Sequence, residues 1–117
     1  EIGKEALEGC YYSTHFSPQA DTPEAKKFVQ AYQAKYSEVP DAMAALGYDS
    51  AMILADAIKR AGGTAAQGLR DALAGTKEYQ GVTGRTTIDA NRDASKPATI
   101  VTIKDGKFQY VETMSAE

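Results

Sequence analysis

The sequence predicts an α/β protein in the order strand, three helices, strand, β-hairpin. Three observations lead there. Apolar residues recur at helical spacing through the middle of the chain, and they alternate with period two near both ends. One central segment, "AALGYDSAMILADAIKRAGG" at 44–63, is apolar almost all the way round a helix. A helix of that kind wants cover on more than one side. These 117 residues offer few strands, so most of the covering sheet is expected to lie outside them.

Residues 8–16, "EGCYYSTHF", begin with a β-favouring run at Cys10, Tyr11 and Tyr12, then turn polar and close at Pro18: a strand feeding a loop. Cys10 is the single cysteine, makes no internal disulfide, and reads as a small buried hydrophobe. Thr22-Pro23-Glu24 starts a helix, with a capping hydroxyl, proline at the first helical position and an acid at the positive end. Ala25, Phe28, Val29, Tyr32 and Tyr36 share one face of it.

The long apolar helix follows. Pro40 and Asp41 mark its start, Lys59 and Arg60 occupy its last turn, and Gly62-Gly63 ends it. Tyr48, Ala51, Met52, Ala55 and Ile58 form one stripe; Leu46, Ile53, Leu54, Ala57 and Ala61 form a second. Asp49, Ser50 and Asp56 are left as narrow polar exits. Gly47 lowers helix propensity by about 1 kcal/mol against alanine, which points to close approach by a ligand or another backbone. A capping box, Thr64-Ala65-Ala66-Gln67, opens a third helix that packs through Leu69 and Leu73 and stops at Gly75. The period then changes to two. Val82 to Ile88 reads as a strand, "DANRDASKP" as a polar loop, and "ATIVTIKDGKFQYVET" as a hairpin about Asp105-Gly106.

Composition excludes several classes. With 43% apolar and 25% charged residues the chain is ordinary globular material, one small domain by length. A formal charge of -3 argues against a nucleic-acid partner. No run approaches the roughly 18 apolar residues of a membrane span. The chain starts at Glu1 without Met and enters structure within a few residues, which suits a piece processed or excised from something longer. His15 is the sole histidine, so neither a multi-histidine metal site nor a Ser-His-Asp triad is indicated, and it reads as a surface or hinge-side residue. Asp89, Asn91 and Asp93 resemble the opening of a calcium loop, but Ala94 and Ile100 stand where glycine and glutamate are needed. "GVTG" precedes no helix and is no phosphate cradle. Most of the seven tyrosines fall on core stripes, where packing explains them. No cofactor is indicated, and nothing here makes an enzyme by its own residues.

The segments in order carry a resemblance. "EGCYYSTHFSP", then "FVQAYQAKYSEVPDAMAALGYDSAMILADAIKRAGG", then "LRDALAGTKEYQGVTGRTTIDANRDASKPATIVTIKDGKF" together resemble the C-terminal third of periplasmic branched-chain amino-acid binding proteins. These are the Liv-type solute receptors of ABC importers, with the type I periplasmic-binding-protein fold. Arg92 departs from the glycine usual in that loop. The resemblance implies two α/β lobes joined by three crossing segments, with the ligand between them. It places 1–13 as a strand of lobe two leading to the hinge, 14–97 as the helical part of lobe one, and 98–117 as the closing hairpin of lobe two.

It further implies a periplasmic or extracellular protein that binds a small aliphatic amino acid and delivers it to an ABC membrane permease. The grip on the ligand's carboxylate and ammonium would lie upstream of Glu1. Met43 matches a position that often touches the ligand's side chain, and is read either as that contact or as core. Tyr48 matches a family tyrosine, read as packing or as ligand contact; His15 and Phe16, near the hinge, are further cleft candidates. A ligand sensor in a signalling protein, and an independent protein-binding domain, remain the alternatives. The chain by itself is expected to bind ligand poorly and to self-associate or swap domains through its uncovered apolar faces.

Overall fold

The computed structural model describes residues 3–115, so Glu1, Ile2, Ala116 and Glu117, at the ends of the first and last ranges above, lie outside the described residues. After a short 3-10 turn at Lys4–Leu7 come β1 (Tyr11–Thr14), α1 (Pro23–Tyr36), α2 (Ala42–Ala61), α3 (Ala66–Ala74), β2 (Tyr79–Gly81), β3 (Gly84–Ile88), β4 (Ala94–Ser95), β5 (Ala98–Lys104) and β6 (Lys107–Met114). They make two antiparallel three-stranded sheets, β1-β5-β6 and β2-β3-β4.

The helix ends follow local chemistry. The Thr22 hydroxyl accepts the Ala25 N–H at 3.2 Å, with Pro23 in the first helical position. Asp41 caps α2 by accepting the Ala44 N–H at 2.8 Å. At its far end Gly62 adopts φ +70°, and the Gly62 and Gly63 amides return to the Lys59 and Ile58 carbonyls, as a glycine-stopped helix requires. Arg60 then ties α2 to α3, reaching the Ala72 carbonyl at 2.6 Å and the Thr76 hydroxyl at 2.9 Å. In the β5–β6 hairpin, Asp105 and Gly106 take φ +52° and +69°, the positive pair that a type I′ turn needs.

Four local expectations are corrected. The capping box does not form: α3 starts from Ala65 with no side-chain cap, because Gln67 turns to the Asp71 carboxylate instead. Val82 to Ile88 is not one strand. Val82 and Thr83 form the turn between β2 and β3, held there by Asp49. The "DANRDASKP" loop contains the short strand β4, which pairs with β3. Cys10 is exposed, since it precedes an edge strand and faces no packed layer.

The core is small. Phe16, Ala25, Phe28, Ala45 and Val82 are buried together, with Phe16 edge-on to Phe28 at 5.9 Å between ring centroids. Burying two such rings stabilises the chain by about 2–3 kcal/mol each. Tyr32 packs against this core and Tyr48 against Phe28, but none of the seven tyrosines is fully buried and Tyr11, Tyr12, Tyr36 and Tyr48 are exposed, so a core position is corrected for those four.

On α2 the buried line is Ala45, Asp49 and Ala57. The stripe through Tyr48, Ala51, Met52 and Ala55 lies in solvent, as does Leu54 from the second. Nothing lies within 4 Å of a Cβ built on Gly47, so the close approach expected there is not made by the described residues. No helix is long and apolar enough to cross a membrane among the described residues.

Candidate functional site

The sheet β1-β5-β6 and the helical body meet at a cleft. The chain leaves β1 through residues 15–22 to reach α1, and returns through Lys96-Pro97 to β5. A cavity of about 380 Å3 lies at this junction. Tyr12, Val101 and Phe108 line it from the sheet; Phe16, Pro18, Val39 and Pro40 line it from the helical side. Thr14, Ser17, Gln19 and Asp41 add polar atoms around it. Apolar walls with a few placed polar groups are the ordinary make-up of a small-ligand site. A larger concavity of about 930 Å3 lies over Leu7, Tyr12, Ile103 and Phe108, rimmed by Glu5, Glu8 and Asp105. It belongs to the sheet side alone, and its Glu8 carboxylate is engaged by the Asp105 and Gly106 amides at 2.7 and 3.3 Å.

The four candidate residues do not converge on one cavity. Phe16, 5% exposed, forms part of the cleft wall and part of the core. Met43 is 68% exposed in the first turn of α2, one residue beyond Ala42, which lines the cleft. Tyr48 lies on the groove between α1 and α2, its ring 4.9 Å from that of Phe28. The His15 side chain is in solvent, while its carbonyl accepts the Lys96 ammonium at 3.3 Å. Burial lowers the Lys96 pKa from its ordinary value, with the Asp49 charge pulling the other way.

Two carboxylates take roles in the helical body that their sequence setting did not indicate. Asp49 is 4% exposed and is no polar exit. Its carboxylate accepts the Val82 amide at 2.8 Å, the Thr83 amide at 2.9 Å and the Thr83 hydroxyl at 2.6 Å. Gly81 is required beside it, because a Cβ there would stand 2.5 Å from Asp49 Oδ2. The signal was present as the "YDS" step inside an apolar helix; its partners, 33 and 34 residues away, were not. Asp89, by contrast, closes the "DANRD" loop on itself, with Oδ1 accepting the Asn91 and Asp93 amides at 2.8 Å. The described residues contain no group of three or more His, Cys, Asp or Glu placed to hold a metal.

A sequence profile described as periplasmic binding protein matches residues 1–107. The chain belongs to the periplasmic binding protein family.

Solved structures similar to this periplasmic binding protein agree. The leucine binding protein LivK of Thermotoga maritima is 39% identical with a TM-score of 0.84, over 97% of this chain and 33% of that one. The branched-chain amino acid substrate binding protein LivJ of Streptococcus pneumoniae, in complex with isoleucine, is 37% identical with a TM-score of 0.76, over 91% of this chain and 30% of that one. A solute binding protein of an ABC transporter from Rhodopseudomonas palustris, in complex with 3,4-dihydroxy benzoic acid, is 28% identical with a TM-score of 0.74, over 96% and 32%. The chain thus spans about a third of the length of the structures it matches. Its three helices and two small sheets are part of the periplasmic-binding-protein fold, and its neighbours include ABC-transporter substrate-binding proteins for branched-chain amino acids.

Proposed function

We propose that this chain forms one part of a solute receptor that encloses a small aliphatic amino acid between two lobes and passes it to an ABC membrane permease. The observation that carries this reading is the identity of 39% to a leucine binding protein and 37% to an isoleucine complex across nearly all of the chain. Residues 1–13 and 98–117 then belong to one lobe and 14–97 to the other, with the crossing near Ser13 to Phe16 as a hinge. Met43, exposed at the start of α2, supplies an adaptable apolar surface for an aliphatic side chain. Phe16 supports the hinge side of the cleft, the exposed His15 precedes it on the crossing, and Tyr48 packs against Phe28. Binding needs no covalent step; the ligand selects the closed arrangement of the lobes. The uncovered face of α2 seats a sheet contributed by the rest of the receptor, and the receptor works in the periplasm or outside the cell.

Exchanging this chain for the matching third of the Thermotoga leucine binding protein tests the reading. The chimera is expected to bind leucine, isoleucine or valine by calorimetry, and Met43→Asp to weaken that binding by at least about tenfold through burial of a charge against an apolar side chain. A folded chimera that binds none of the three amino acids would overturn the assignment. This chain alone is expected to give no heat with leucine, and a micromolar affinity would move the ligand's polar grip into these residues.

A further inference from the structure

Both segments that cross between the sheet β1-β5-β6 and the helical body carry a hydrogen bond between residues far apart in the chain. Gln19, before α1, accepts the Tyr110 amide of β6 through Oε1 at 2.8 Å. Lys96, before β5, donates from Nζ to the His15 carbonyl at 3.3 Å.

The acceptor at Gln19 meets a specific need. Val101 pairs with Tyr110 but Ile100 pairs with Glu112, so β6 bulges at Val111. A bulge interrupts the regular ladder, and the Tyr110 N–H beside it is taken by a side chain of the first crossing. Gln19 is itself held in place: the buried Ser17 hydroxyl accepts the Gln19 amide at 3.2 Å, and the Ala20 amide returns to the Ser17 carbonyl at 3.0 Å. Phe16 anchors this crossing in the core. On the second crossing Pro97 lies against Gly84, where a Cβ would come within 3.2 Å of the proline ring. Stiff crossings leave few bonds to set the angle between the two bodies, and Gln19 also lines the cleft between them.

We propose that Gln19 clasps the first crossing to β6 and so fixes the angle between the sheet and the helical body, with Lys96 tying the two crossings together, so that opening the cleft requires Gln19 to release the Tyr110 amide. The clasp is a property of this chain and does not depend on which ligand, if any, it holds.

Single-molecule energy transfer tests it on the chain carrying Cys10→Ser, with dyes at Lys35→Cys and Lys107→Cys. One narrow distance population is expected, which Gln19→Ala with Lys96→Met broadens or shifts. Gln19→Glu with Lys96→Met, which keeps an acceptor oxygen at position 19, restores the narrow population. Amide exchange gives an independent reading without dyes: Tyr110 is protected in the native chain, and Gln19→Ala speeds its exchange by up to about tenfold, the worth of one hydrogen bond. An unaltered distance population in the double variant, or a Tyr110 amide unprotected in the native chain, overturns the clasp.

Discussion

Three donors converge on the Asp49 carboxylate out of water, two of them backbone amides of the β2–β3 turn. Asp49→Ala leaves all three unsatisfied and is expected to lower the unfolding free energy by about 3–5 kcal/mol, read as a drop in urea midpoint. Asp49→Asn keeps one oxygen but turns an amide N–H against the donors, and is expected to fall between the two. A midpoint unmoved by Asp49→Ala would mean that the turn holds itself. Lys96 makes a pH prediction. Burial lowers its pKa in the folded chain, so between that lowered value and the ordinary value of 10.5 the unfolded chain binds more protons. Its contribution to stability therefore rises as pH climbs through that window. The urea midpoint of Lys96→Met relative to the native chain should fall over the same pH interval; a constant difference would show that the lysine is not desolvated. Arg92 carries a different strain, a non-glycine residue at φ +74° in the turn between β3 and β4.

At the scale of elements, the helix limits of α1 and α2 were legible because their signals are local: Thr22-Pro23, Asp41 and Gly62-Gly63 act on backbone groups within five residues. The Asp105-Gly106 hairpin was legible for the same reason. The capping box at α3 failed although its letters were right, since Gln67 has a nearer partner in Asp71 and the cap position falls on Ala65. Ala65→Asp would place an acceptor before the uncapped N–H groups and is expected to raise the thermal midpoint, by about 1 kcal/mol of stability. No rise would show that the first turn of α3 is already satisfied. The β2–β3 turn was hidden because "GVTGRTTI" alternates well enough for a single strand, while the carboxylate that holds the turn comes from α2.

The whole molecule is open for its size. Its radius of gyration is 16.4 Å, against about 13 Å for a compact chain of this length. Its accessible surface is 8184 Å2, where a folded monomer of this mass exposes about 6,200 Å2. Much of the excess is apolar: Met43, Met52 and Leu54 on α2, and Tyr11, Phe108 and Val111 on the sheet. Such surface is expected to drive self-association at high concentration, visible by sedimentation and reduced by Leu54→Lys without a lower melting temperature. A chain that sediments as monomer throughout would count against it. The sequence by itself determined the element types, most helix ends, the family and an apolar helix in need of cover, because periodicity and caps are written within a few neighbouring residues. Tertiary structure decided that Asp49 is a buried anchor, that Gly81 makes room for it, that Tyr48 and Met52 stand in solvent, that Gln19 meets the Tyr110 amide of β6, and that Lys96 meets the His15 carbonyl. The Asp49 anchor, the room at Gly81 and the bonds of Gln19 and Lys96 depend on groups brought together from 32 to 91 positions apart, and a linear pattern does not record which distant donor a lone acceptor will meet.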